Sequence, residues 1–275
     1  MKPLRIINVI LVCAFFSSCQ KEFSYTDVTP PIVFNVDATR FIDSVGITDD
    51  IEKSAINGLV TQLKDSSLWN KFLAIYPMIG GTSLSMSYNL IDPRISDDAY
   101  SLKFYGTPVF NATGVLFPAT TDYADTHLAD SVLSFNNNSI SYYSLTQNTI
   151  NGYDMGCVDY IPPYNEFSIF QSTDASVWFG YYAWGISPSN TKGLFLISST
   201  SSDVKRYDNS VITSSKGAAP EPGYTNLPIL IGTVSGASSG GQRECGFASI
   251  GYGLSDAEAA TFYNIVQNYE ASLGR

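Results

Sequence analysis

Between Ser101 and Gly253 the chain never settles into a helical period. Its apolar residues come in short runs: Leu102 with Phe104, Val109-Phe110, Val115-Leu116-Phe117, Leu133 with Phe135, Ile140 with Tyr142 and Tyr143, then Phe167 to Phe170 and Ser176 to Ile186. Gly106, Pro108, Gly114, Pro118 and the triplet Asn136-Asn137-Asn138 separate the earlier runs. Glycine and proline are poorly tolerated inside strands, so each cluster reads as a turn. Short strands with turn signals at roughly 8–12-residue intervals build a sandwich or a barrel. The missing helical interludes exclude a parallel βαβ arrangement. Composition agrees: 18 Tyr, 16 Phe and 3 Trp suit pleated, half-buried surfaces. The expected fold class is therefore all-β, a two-sheet antiparallel jelly-roll sandwich.

Two helices bracket these strands. Near 49–65, Thr48 or Asp49 can cap, and Ile51, Ala55, Leu59 and Leu63 recur at a spacing of four beside Ile56 and Val60. Near 255–273, Ser255 with Glu258 forms the S-x-x-E capping box. Ala259, Phe262, Val266, Tyr269 and Leu273 then make one apolar face, and Gly274 can end the helix. The dense segment Leu68 to Gly81 reads as structural, a plug for one edge of the core. There is no internal repeat and no low-complexity tract.

Residues 1–18, MKPLRIINVILVCAFFSS, have the form of an export leader. Lys2 and Arg5 give a positive start, and Ile6 to Phe16 is apolar but too short to span a bilayer. Phe16-Ser17-Ser18-Cys19 resembles the lipobox of bacterial lipoproteins. That resemblance implies a signal peptide cut before Cys19, acylation of Cys19, and a membrane anchor in the cell envelope. An ordinary secretory signal is the alternative. Gln20-Lys21-Glu22 resembles the surface-export tag of some gram-negative lipoproteins, which points to the outer membrane and the cell surface. Residues 19–37, with Pro30-Pro31 and no period, read as a lipidated tether, leaving 38–275 as the domain.

Gly193-Leu194-Phe195-Leu196-Ile197, followed by Val204 to Ile212, resembles the core hairpin of laminin G-like, concanavalin A-like lectin domains. The chain departs from that family at Ser210, where its return turn has glycine. Leu227 to Val234 and Phe247 to Gly251 are similar to the family's closing strands. Leu68 to Phe72, Gly114 to Phe117, Tyr123 to Thr126 and Gly253 to Ala259 extend the similarity to a subgroup in bacterial surface and virion proteins. The resemblance implies a jelly roll of two curved sheets over roughly 38–275. It also implies carbohydrate or protein binding in adhesion, a spacer role without a small ligand, or a carbohydrate-active enzyme.

The formal net charge of −10 lacks the basic footprint that nucleic acid requires. Glucanases of this fold carry E-x-D-x-x-E or E-x-D-x-E, because retaining hydrolysis needs two carboxyls about 5–5.5 Å apart. None of the seven glutamates has such a neighbour, so a non-catalytic module is expected. His127 is the single histidine and no G-x-S-x-G elbow accompanies it; it reads as a surface polar residue. The resemblance allows Ca²⁺ at Asp122, Asp125 and Asp130, or at Asp203 and Asp208, but no metal site or cofactor is assigned. Trp178, Tyr182 and Trp184 alternate onto one strand face, with Phe179 and Tyr181 on the other. They are the candidate ligand-binding residues, since flat rings with polar tips stack on sugars or anchor a protein. Cys157 and Cys245 are read either as a disulfide or as two small buried hydrophobes.

Overall fold

Asn35 caps the first helix among the described residues. Its side chain accepts a hydrogen bond from the Asp37 amide and opens helix α1, Val36–Val45. Gly46, at φ 75°, ends it in the left-handed conformation. Asp49 caps α2, Asp50–Asp65, accepting from the amides of Ile51 and Glu52 at 2.9 Å. The capping box of Ser255 and Glu258 opens α3, Asp256–Ser272. The computed structural model describes residues 33–160, 165–171, 190–217, 226–235 and 239–275. Phe34 to Arg275 fold as one unit.

Thirteen strands are present among the described residues. They are β1 Phe72–Tyr76, β2 Lys103–Tyr105, β3 Val109–Phe110, β4 Val115–Leu116, β5 Tyr123–Ala129, β6 Asn138–Ser144 and β7 Gly152–Asp159. Then come β8 Asn165–Gln171, β9 Gly193–Ser199, β10 Asp203–Asp208, β11 Val211–Gly217, β12 Pro228–Ile231 and β13 Glu244–Gly251. The larger sheet runs β11-β10-β9-β6-β13-β4-β3, with β1 also on β13; the smaller runs β2-β5-β12-β7-β8. Every strand pair is antiparallel. The chain is thus the two-sheet antiparallel sandwich expected, with helices at both ends.

Alternation along the strands assigns the layers. In β9, Phe195 and Ile197 enter the core between the sheets, with Tyr142, Met155, Phe167, Ile231 and Ile250. Leu194 and Leu196 point the other way, into a second core with Phe41, Leu59, Phe262 and Tyr269 of the helices. The central strands β6, β9 and β13 are therefore buried on both faces, while the edge strand β11 is largely exposed.

Three readings change. Phe72–Tyr76 is no edge plug: it pairs with Ala248–Gly251, sending Ala74 and Tyr76 into one core and Phe72 and Ile75 into the other. Val36 and Asp37, assigned to the tether, are helical because Asn35 caps them. Cys157 and Cys245 are buried on strands of different sheets, pack in the core between them and are not joined by a disulfide. The hairpin at 193–212 is part of a three-strand meander. Its second turn is Asn209-Ser210, closed by the pair Asp208–Val211.

Candidate functional site

Helical side chains pack on the central strands of the larger sheet, whereas on β2 and β5 of the smaller sheet the outward side chains are partly exposed in register. β5 alternates strictly: Ala124, Thr126 and Leu128 are buried, while Tyr123, Asp125 and His127 are partly exposed. β2 runs beside it, with Lys103 opposite Asp125 and Tyr105 opposite Tyr123. Phe104, between them, turns inward and packs edge-on against Phe110 with centroids 4.8 Å apart.

Asp122 fixes this register. It is buried; Oδ1 accepts from the Thr107 amide and Oδ2 from the Ala119 amide, each at 2.9 Å. One carboxylate thus ties the turn after β2 to the turn before β5. Gly106 is required here, because it sits at φ 82° and a Cβ would lie 2.1 Å from Asp122 Oδ1. On the inner side, Thr126 Oγ1 donates to the Ile229 carbonyl at 2.7 Å and holds β12 in place.

The outward group is compact. The Tyr105 and Tyr123 rings stack with centroids 4.8 Å apart and planes 20° off parallel. Lys103 Nζ lies 5.3 Å from the centroid of the Tyr105 ring, a cation–π arrangement. Asp125 Oδ1 accepts from the His127 amide at 2.8 Å, which supports the left-handed φ of 56° at His127. His127 Nδ1 lies 2.9 Å from the Ser101 carbonyl, and Nε2 lies 3.5 Å from Asp97 Oδ1. The Tyr105 hydroxyl, with Asp97 and Asp125 further off, raises the Lys103 pKa, so its ammonium stays charged. Burial, then Tyr105 and Asp125, raises that of the Tyr123 phenol. The face offers the Lys103 ammonium, the Asp125 side chain and the stacked rings of Tyr105 and Tyr123.

A second polar group lies inside the sandwich. Arg206, on β10, donates from Nε to Asp208 at 2.7 Å, from Nη1 to the Phe170 carbonyl at 2.9 Å and from Nη2 to Gln171 Oε1 at 3.0 Å. It also lies over the Phe195 ring. These contacts join the two sheets at the β8 edge and give Arg206 and Asp208 a packing role.

Trp178, Tyr182 and Trp184 lie outside the described residues, as do Cys19 and the leader. The aspartates weighed for calcium have other partners. Asp122 binds the two turn amides; Asp203 accepts from Thr200 Oγ1 at 2.9 Å and meets Lys205 at 3.1 Å; Asp208 holds Arg206. Among the described residues no group of three or more His, Cys, Asp or Glu side chains could hold a metal. The described glutamates are dispersed: Glu52 on α2, Glu166 on β8, Glu244 on β13, Glu258 and Glu270 on α3. Of the outward group, the sequence reading weighs only Asp125 and His127. Lys103 and Tyr105 carry no local motif, and Tyr123 enters the sequence analysis only through the family similarity of Tyr123 to Thr126; what joins the three is the pairing of β2 with β5.

These features define a helix-backed, two-sheet antiparallel β-sandwich with an aromatic and charged outer face. No family model and no curated protein sequence matches the chain. Among solved structures it is similar to a mutant Trypanosoma rangeli sialidase displaying trans-sialidase activity, at TM-score 0.50 and 9% identity, over 78% of this chain and 39% of that one. It is also similar to domain 4 of the extracellular GH43 arabinanase AbnA from Geobacillus stearothermophilus, in complex with arabinotriose, at 0.41 and 15%, over 70% and 98% of the two chains. The botulinum neurotoxin serotype D ligand binding domain in complex with N-acetylneuraminic acid matches at 0.41 and 11%, over 72% and 52%. At 9% identity the likeness to the sialidase is one of fold. This chain spans well under half of the sialidase.

Proposed function

We propose that this chain is an exported, lipid-anchored surface module whose sandwich domain binds glycan without catalysis. The observation that carries the binding reading is the outward group on β2 and β5, a stacked tyrosine pair flanked by an ammonium and a carboxylate. Aromatic surface with polar tips suits a ligand that is apolar on one side and hydroxylated at its rim. The leader and the Ser17-Ser18-Cys19 junction supply the address. In this reading residues 1–18 are removed, Cys19 carries the acyl chains, the tether follows, and the domain stands off the outer membrane at the cell surface. Several acyl chains exceed the two signals that stable attachment needs.

Two measurements test this. Cys19→Ser should move the chain from the membrane to the soluble fraction and abolish labelling with radioactive palmitate; retention of both would end the lipoprotein reading. The purified chain should bind part of a glycan array and leave the bound oligosaccharide uncleaved by chromatography. Binding to a protein partner but to no glycan would move the reading to protein adhesion.

A further inference from the structure

We propose that Lys103, Tyr105, Tyr123 and Asp125 form a subsite for one neutral pyranose unit. Its vicinal diol is held between Asp125 and Lys103, and its carbon face rests on the Tyr123 ring, on the side away from Tyr105. This deepens the glycan-binding reading above and rests on it.

The geometry supplies each contact. Lys103 and Asp125 are directly opposed across β2 and β5, where Cβ atoms stand about 4.5–5.5 Å apart. A vicinal diol can bridge two side chains opposed in this way, with one hydrogen bond to each. One hydroxyl donates to the carboxylate and its neighbour accepts from the ammonium. The two charges remain available to a ligand: Lys103 lies over the Tyr105 ring, and Asp125 gives Oδ1 to the His127 amide, leaving Oδ2. Hydrogen bonds to charged groups are the stronger kind. One strand repeat along the same face, Tyr105 and Tyr123 are already stacked on each other. Little side-chain freedom is lost when a ring face meets Tyr123, which lowers the cost of binding.

Charge decides the sugar class. Asp97 and Asp125 both lie near the single ammonium of Lys103, in a chain whose net charge is −10. A sialic or uronic acid would bring its carboxylate against two others. A neutral hexose brings only hydroxyls, which serve the carboxylate as donors and the ammonium as acceptors.

The test titrates the full chain against neutral gluco-, galacto- and manno-oligosaccharides and against matched uronate- and sialate-containing ones. Lys103→Met and Asp125→Asn are made singly, with Tyr123→Ala as a third variant checked for folding by circular dichroism. A neutral oligosaccharide should bind, and each variant should weaken it roughly tenfold, the loss of one charge-assisted hydrogen bond or stacking contact. Neutral-glycan binding unchanged in both Lys103→Met and Asp125→Asn overturns this subsite and leaves the glycan reading standing. Preference for acidic glycans overturns the neutral class. No glycan bound by the folded chain removes the reading and the subsite together.

Discussion

Arg243 donates from Nη1 to Asp154 Oδ1 at 2.9 Å, with both side chains sealed from solvent. Asp154 sits at the irregularity of β7 between Tyr153 and Met155, and Arg243 also donates to the Ile150 carbonyl at 2.5 Å. Burial raises the Asp154 pKa, against the pull of the Arg243 charge. Removing one partner leaves an uncompensated buried charge. Asp154→Ala should therefore cost about 3–5 kcal/mol, read as a lower urea midpoint at unchanged slope. The pair Asp154→Leu with Arg243→Met should recover most of that loss. A near-neutral Asp154→Ala would show that the pair contributes little.

The hairpin turn between β10 and β11 carries avoidable strain. Asn209 at φ 50° and Ser210 at φ 69° are both left-handed, as the two-residue type I′ turn demands. Asn209 accepts that conformation and its side chain works: Oδ1 takes the Leu194 amide at 2.9 Å and Nδ2 reaches the Lys192 carbonyl at 3.2 Å. Ser210 has no such compensation in that turn. Ser210→Gly relieves a penalty of about 1–2 kcal/mol and gives back part of it as unfolded-chain entropy. A net gain near 0.5–1 kcal/mol should raise Tm by about 1–4 °C. A lower Tm would contradict the turn assignment.

The start of α3 is tested by Ser255→Ala. Ser255 Oγ accepts from the Glu258 amide at 3.3 Å, while Glu258 Oε2 accepts from the Ser255 amide at 2.8 Å. Losing the cap should cost about 1 kcal/mol, a fall of about 2–4 °C in Tm. Ser255→Asp, which keeps an acceptor at the cap, should restore it.

How much of this is legible in the sequence follows from the range of each signal. Helices α2 and α3 carry their caps and faces within one stretch of chain, so Asp49, Ser255 and Glu258 are readable. The strand rhythm from Ser101 onward announces a sandwich. Helix α1 escapes notice because it buries only Ala38, Phe41 and Ile42, too few for a visible period. β1 reads as a plug because its burial on both faces erases alternation. The outward group is invisible for another reason: Lys103 meets Asp125, and Tyr105 meets Tyr123, only through register between strands about 20 residues apart. Nothing local in the sequence marks Arg206, Arg243 and Asp154 as members of ion pairs that close in the interior.

Glu270 makes the stability of the domain depend on pH. Its side chain is fully buried on the inner face of α3, 3.7 Å from Arg275 Nη1. Burial lifts its pKa from 4.5 to about 7, against the attraction of Arg275. The folded chain thus keeps a proton that the unfolded chain has released. The stability from this group is fully present below about pH 4.5 and is lost as pH rises toward 7. Glu270→Gln removes the titration and leaves Arg275 its hydrogen bonds to the carbonyls of Gly246 and Met78 at 3.2 and 3.0 Å. Relative to the variant, the parent chain should lose a few kcal/mol between about pH 4.5 and 7.5, because each tenfold gain in proton affinity on folding corresponds to about 1.4 kcal/mol. Thermal melts at both pH values read this difference directly. Parallel pH profiles for the two proteins would show that Glu270 is ionised in the fold, held there by Arg275.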